Sequence, residues 1–111
     1  MKGTDRYRIE GASCMYGDRV LRVGNISVGG FYVETPEPPE QGAVLKLPLT
    51  LPQRPALSIV GKVAWVNDRS YPRHSTLPPG FGFNTQRIAF NDKLTILECL
   101  RKAEAASVSD G

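Results

Sequence analysis

Apolar and polar residues alternate along most of this chain at a period of two, the signature of strands with one buried face. Ile9 opens a weakly alternating segment that runs through Met15-Tyr16, the first predicted strand. Gly17-Asp18 is a turn signal and predicts a hairpin into Arg19-Val20-Leu21-Arg22-Val23. The stretch Asn25-Ile26-Ser27-Val28-Gly29-Gly30 then joins that strand to Phe31-Tyr32-Val33, which is rich in β-formers. Asn and Ser side chains favour turns by bonding nearby backbone, and the glycines permit either positive φ or a close backbone approach. Three prolines between Thr35 and Gly42 cannot donate to a ladder, so this segment reads as an ordered loop.

Strand patterning resumes at Ala43–Leu49, where Leu45, Leu47 and Leu49 face one way and Lys46 the other. Pro52–Pro55 reads as a turn. Leu57–Val66 is the longest strand candidate: Ile59, Val63 and Trp65 fall on one face, which places Trp65 in the core, and Gly61 marks a bend or bulge. Asn67–Gly80 reads as a polar loop carrying Arg69, Arg73 and His74. Gly80-Phe81-Gly82-Phe83-Asn84 closes the series with both phenylalanines on one side.

Only the end of the chain has helical period. Asn91 or Asp92 can cap a helix to about Ala106, and Ile96, Cys99, Leu100 and Ala103 form its apolar stripe. Arg101 and Lys102 are expected near its C-terminus, where cations suit the dipole, and Leu94 on the opposite side is a position for an oligomer or partner contact. The fold class that follows is mainly β: a six-stranded antiparallel β-barrel capped by a C-terminal α-helix. The chain reads as one domain, with residues 1–8 a flexible basic arm, 9–90 the barrel, 91–106 the helix and 107–111 a frayed tail.

Length and composition fit this picture. A chain of 111 residues with 41% hydrophobic and 23% charged residues suits one globular domain with a modest core. No apolar run approaches a membrane span, and Met1–Arg6 lacks the apolar region of a secretory signal, so a cytoplasmic protein is expected. Two cysteines and one histidine offer neither a disulfide framework nor a zinc site, and Cys14 and Cys99 read as free thiols that serve packing. The net charge of +3 permits an anionic ligand or an acidic protein surface without the clustered basicity of a nucleic-acid binder.

Chemistry-bearing groups are sparse. His74 is the one histidine and lies in a proline-rich loop, and Ser27 has no evident base beside it. Gly29-Gly30 is too short for a phosphate-binding loop. No catalytic residue, metal site or cofactor is predicted. A binding site is better supported. Arg6 and Arg8 bracket Tyr7 in the N-terminal arm, and a guanidinium matches phosphate and guanine edges with paired donors. Asn25 and Ser27 add short hydrogen-bonding groups beside glycine backbone.

The order of basic arm, strand pair, Asn25-x-Ser27-x-x-Gly30 and aromatic strand resembles the PilZ domain family. That family carries an RxxxR arm, a later [D/N]xSxxG motif and a six-stranded barrel with a trailing helix. The similarity continues through Gly42–Leu47, Gly61–Val66 and Pro79–Phe83, spanning about residues 6–103. The resemblance implies binding of cyclic di-GMP, with Arg6, Arg8, Asn25, Ser27 and Gly30 as site residues. Asn25, Ser27 and Gly30 match the second motif fully. The arm does not match: with Arg8 as second arginine the first falls on Thr4, and with Arg6 it falls on Lys2.

Either way one guanidinium is missing. The resemblance therefore implies a non-catalytic bacterial regulator in cyclic di-GMP-linked control of motility or surface behaviour, acting through a protein partner with nucleotide binding weak or lost. A functional cyclic di-GMP receptor is the alternative within the family. From another class, a small barrel binding single-stranded nucleic acid would need aromatics on a basic outer face, whereas the aromatics here fall mostly on inward positions.

Overall fold

The computed structural model describes residues 6–68 and 77–109, with side chains to residue 105. Six strands and one helix follow in chain order: β1 Ser13–Tyr16, β2 Arg19–Ser27, β3 Gly30–Glu34, β4 Val44–Thr50, β5 Leu57–Asn67, β6 Gly80–Ile88 and α1 Phe90–Ser109. All pairings are antiparallel, and the order β1-β2-β3-β6-β5-β4 closes where β4 returns to β1. Closure removes the unpaired edges that a sheet this small would otherwise expose. No described helix is long and apolar enough to cross a membrane.

The period-two pattern sets the core. Val23, Ile26, Phe31, Val33, Leu47, Leu49, Ile59, Val63, Phe81 and Phe83 are each at most 2% exposed and form one cluster inside the barrel. Phe31 and Phe83 are cross-strand partners with ring centroids 5.2 Å apart. Helix α1 contributes Ile96 and Leu100 to the same cluster, with Cys99 packed beside them. Cys14 is buried in the core, and that burial pushes its thiol pKa up to about 12.

Several boundaries differ from the pattern-based expectation. The first strand begins at Ser13 rather than Ile9. Gly11 at φ +84° and the Ala12 N–H bonded to the Ile9 carbonyl form a turn there instead. β6 continues past Asn84 to Ile88, pairing with the first half of β5. Helix α1 starts at Phe90, its first bond running from Lys93 N–H to the Ala89 carbonyl, so Asn91 and Asp92 lie inside the first turn rather than capping it. It also runs to Ser109, beyond the expected Ala106. Arg101 and Lys102 therefore lie well before its last turn, and the dipole argument for them does not apply. Lys102 instead faces Glu98 at 3.7 Å, one turn away, while Glu98 accepts from Arg54 at 2.8 Å.

The larger correction concerns Trp65. The β5–β6 register shifts at Gly61, as expected, with Gln86 of β6 as the extra residue, and again between Val63 and Trp65, where the extra residue is Ala64 of β5. One extra residue in the strand inverts which face the following side chains take. Trp65 consequently pairs with Gly82 and stacks on Tyr32 outside the barrel, with centroids 5.3 Å apart and an interplanar angle of 25°. Gly82 is required at this spot, since any Cβ there would overlap the indole.

Candidate functional site

Strand β2 is longer than β1, so its last residues have no partner from β1. The arm fills that vacancy. Tyr7 and Ile26 exchange two backbone hydrogen bonds of 2.8 Å, and the Tyr7 ring packs against the core. Side chains alternate in an extended segment, so Arg6 and Arg8 leave from the face opposite Tyr7. Sequence reasoning noted that the arginines bracket Tyr7 but did not identify the tyrosine as the anchor; its signal was the alternation Arg-Tyr-Arg itself.

Asn25 lies opposite Tyr32, on the outer surface that the arm overhangs. Arg6 Nη1 donates to Asn25 Oδ1 at 2.9 Å. Arg8 goes elsewhere: its Nε sits 3.3 Å from Glu10 Oε1, and it lines a cleft of about 390 Å³ with Ile9, Arg54, Cys99 and Lys102. The structure thus unites Arg6 with Asn25 and leaves Arg8 on the helix side of the arm. Lys2 and Thr4, the alternative first arm positions, lie outside the described residues, as do Arg69, Arg73 and His74.

Ser27 and Gly30 are bound into the hairpin. Ser27 is 5% exposed, and its Oγ donates to the Gly30 carbonyl at 3.3 Å. Neither Gly29 nor Gly30 has a left-handed φ. Gly30 is demanded by close approach instead: a Cβ there would overlap the Phe83 carbonyl oxygen across the β3–β6 ladder. Gly29 faces open space, while its carbonyl accepts from Thr85 N–H at 2.8 Å. Asn25 is the motif residue with a side chain available on the outer face.

Beside Asn25 the outer surface carries the Tyr32–Trp65 stack. Tyr32 is only 1% exposed because the chain at Leu77–Pro79 covers it. Its hydroxyl donates to the Pro78 carbonyl, and Asn67 Nδ2 donates at 3.3 Å to that hydroxyl and to the carbonyls of Leu77 and Pro78. Burial raises the Tyr32 hydroxyl above its ordinary pKa, with the Asn67 hydrogen bond opposing and Glu34 adding to the rise. The expectation of inward aromatics therefore holds for Phe31, Phe81 and Phe83 and fails for Trp65, which the bulge at Ala64 turns outward, while Tyr32 faces outward by simple alternation between Phe31 and Val33. No cluster of metal-binding side chains occurs among the described residues.

Comparison with known proteins agrees with this architecture. No curated protein matches the chain. Among solved structures, YcgR from Escherichia coli, crystallised in complex with c-di-GMP, superposes with a TM-score of 0.70 at 12% sequence identity. The match covers 96% of this chain and 47% of that one, so the chain spans about half the length of YcgR. At this identity the likeness concerns the fold. The PilZ domain family matches residues 6–102, nearly the whole chain, and the chain belongs to the PilZ domain family.

Proposed function

We propose that this PilZ domain is a non-catalytic regulatory module in cyclic di-GMP-linked signalling, with weakened or lost nucleotide binding. On this reading it acts in the bacterial cytoplasm and controls motility or surface behaviour through a protein partner. Family membership and the fold shared with the YcgR–c-di-GMP complex support the ligand class.

The observation that carries the weakened site is the split of the arm. Arg6 reaches Asn25, whereas Arg8 is turned to Glu10. A phosphate or guanine edge arriving over Asn25 meets one guanidinium where two would clamp it. Each charge-assisted contact is worth about 1.5–3 kcal/mol, so the missing one lowers affinity by roughly ten- to a hundredfold. Ser27 adds little to a ligand, because its hydroxyl is buried and already engaged with Gly30.

Titration calorimetry with cyclic di-GMP tests this directly. The expected result is no heat, or a Kd of about 100 μM (near −5.5 kcal/mol), lost in Arg6→Ala and Asn25→Ala. A Kd of about 1 μM or tighter would overturn the weakened-site reading and establish a functional receptor. In that case Arg8 must swing from Glu10 to join Arg6, and Arg8→Ala abolishes the heat as well.

A further inference from the structure

The outer side of α1 is unlike the rest of the molecule's surface. Ile96 and Leu100 attach the helix to the barrel. Phe90, Leu94 and Leu97 follow one another at i, i+4 and i+7 along a different face. Phe90 is 73% exposed, the most exposed large hydrophobic among the described residues, and Leu94 is 46% exposed. Leu97 is half-buried and continues the stripe toward Arg101. Single exposed apolar residues are ordinary on a protein surface, but a contiguous helical stripe marks an interaction site.

The charges beside the stripe define its partner. Lys93 and Arg101 flank it, are exposed, and form no ion pair among the described residues. The carboxylates of the helix do not balance them. Asp92 is half-buried, Glu98 is held by Arg54 and Lys102, and Glu104 has its own interactions. The stripe therefore presents apolar knobs beside two cations that pair with no carboxylate among the described residues.

We infer that the Phe90–Leu94–Leu97 stripe of α1 is a docking surface for an acidic amphipathic helix of another protein, with Lys93 and Arg101 pairing its flanking carboxylates. A spacing of i, i+4, i+7 is one side chain wide and suits helix-against-helix packing, in which each knob enters a gap in the facing helix. A second copy of this chain fits poorly, because an antiparallel pairing that superposes the two stripes is centred near Leu94 and brings Lys93 of both copies to the same flank of the seam. A lipid surface also fits poorly. Interfacial helices bury a broad apolar face, whereas the opposite side of α1 is committed to the barrel. This surface is separate from the Arg6–Asn25 site, so the inference stands or falls independently of nucleotide binding.

The test is a nuclear magnetic resonance titration of the full chain with two 16-residue amphipathic peptides. Both carry leucines at helical spacing; one has flanking glutamates and the other has lysines at the same positions. The glutamate peptide is expected to shift the amides of Phe90 to Arg101. The double substitution Phe90→Ser, Leu94→Ser should weaken it at least tenfold. Thermal unfolding of that variant should move little, because both side chains are exposed. Arg101→Glu should weaken the glutamate peptide and admit the lysine peptide. Equal binding of both peptides, shifts confined to another face, or no shift with either would overturn the inference. So would binding to phosphatidylglycerol vesicles that depends on Phe90 and Leu94, or sedimentation showing a dimer that the double substitution dissolves.

Discussion

The Asn25–Gly30 turn is tied into the barrel by hydrogen bonds and backbone contact, whereas the arm residues Arg6–Arg8 rest on it through the Tyr7–Ile26 bridge, the Tyr7 ring and the Arg6–Asn25 hydrogen bond. In the turn, Ser27 bonds Gly30, Gly29 bonds Thr85, and Gly30 touches the β6 backbone. In the arm, the Arg8 side chain is 58% exposed and the Arg6–Asn25 hydrogen bond is itself exposed. The difference shows what a motif match can mean. Two of the three matched residues in Asn-x-Ser-x-x-Gly, Ser27 and Gly30, are engaged within the barrel whether or not a ligand binds. Their engagement follows from the fold, so on the proposed reading any nucleotide binding rests on the arm, the half in which the family pattern is incomplete.

The sharpest way to break this contrast is at the two adjacent glycines. Gly30→Ala forces a methyl group into the Phe83 carbonyl and must separate β3 from β6 or twist the hairpin. Overpacking of this kind is expected to cost about 2–3 kcal/mol in urea unfolding. Gly29→Ala, with open space around the added methyl, is expected to stay within about 0.5 kcal/mol of the parent. Equal effects at the two positions would show that Gly30 serves a conformational or ligand role rather than the strand contact.

A second contrast separates the interior from the surface by pH. Cys14 is buried and its thiol is raised to about 12 from an ordinary 9.0. Its folded pKa lies above the unfolded one, so the native state holds the proton more tightly. The contribution is fully present below about pH 9 and is lost as pH rises toward 12. A single such group changes stability by at most about 1.4 kcal/mol per pH unit. Unfolding free energies measured between pH 8 and 11 should fall with this sign, and Cys14→Ala should flatten the slope. Tyr32 is shifted in the same direction and adds to the fall at the upper end.

Ser27→Ala probes the turn more gently. Loss of the Ser27 Oγ–Gly30 hydrogen bond should cost about 1 kcal/mol of stability, and any nucleotide affinity should change less than threefold. A larger loss of affinity than of stability would mean that the hydroxyl turns outward to the ligand.

Much of the barrel was legible because strands declare themselves at a fixed period. Leu47 and Leu49, Ile59 and Val63, and Phe81 and Phe83 were placed inside by alternation alone, and all are buried. Gly17 was a turn glycine in the sequence and has φ +62° in the fold. Trp65 was misplaced because alternation assumes an unbroken strand, and the bulge beside Ala64 bears no glycine to announce it. Gly30 was visible as important for a reason left open between conformation and contact. The contact that decides it lies on β6, distant in sequence, and no local pattern encodes it. Tyr7 escaped for a related cause: its partnership with Ile26 exists because β2 outruns β1, which only the assembled sheet reveals.

The smallest expected change in stability bears most directly on function. Arg6→Ala removes an exposed hydrogen bond to Asn25 and should alter unfolding by less than about 0.5 kcal/mol, since Tyr7 still pins the arm to Ile26. Arg8→Ala should be equally silent, because its pairing with Glu10 is exposed. Their effects on cyclic di-GMP should part. Arg6→Ala is expected to weaken any measurable binding tenfold or more and Arg8→Ala less than threefold, as read by calorimetry or by competition at raised protein concentration. The reverse order would mean that the arm slips along β2 on binding, bringing Arg8 to Asn25 and Thr4 to the position of the absent arginine. That slip would break the Tyr7–Ile26 bridge, so hydrogen exchange at the Ile26 amide, slow while Tyr7 accepts from it, would accelerate with ligand instead of slowing.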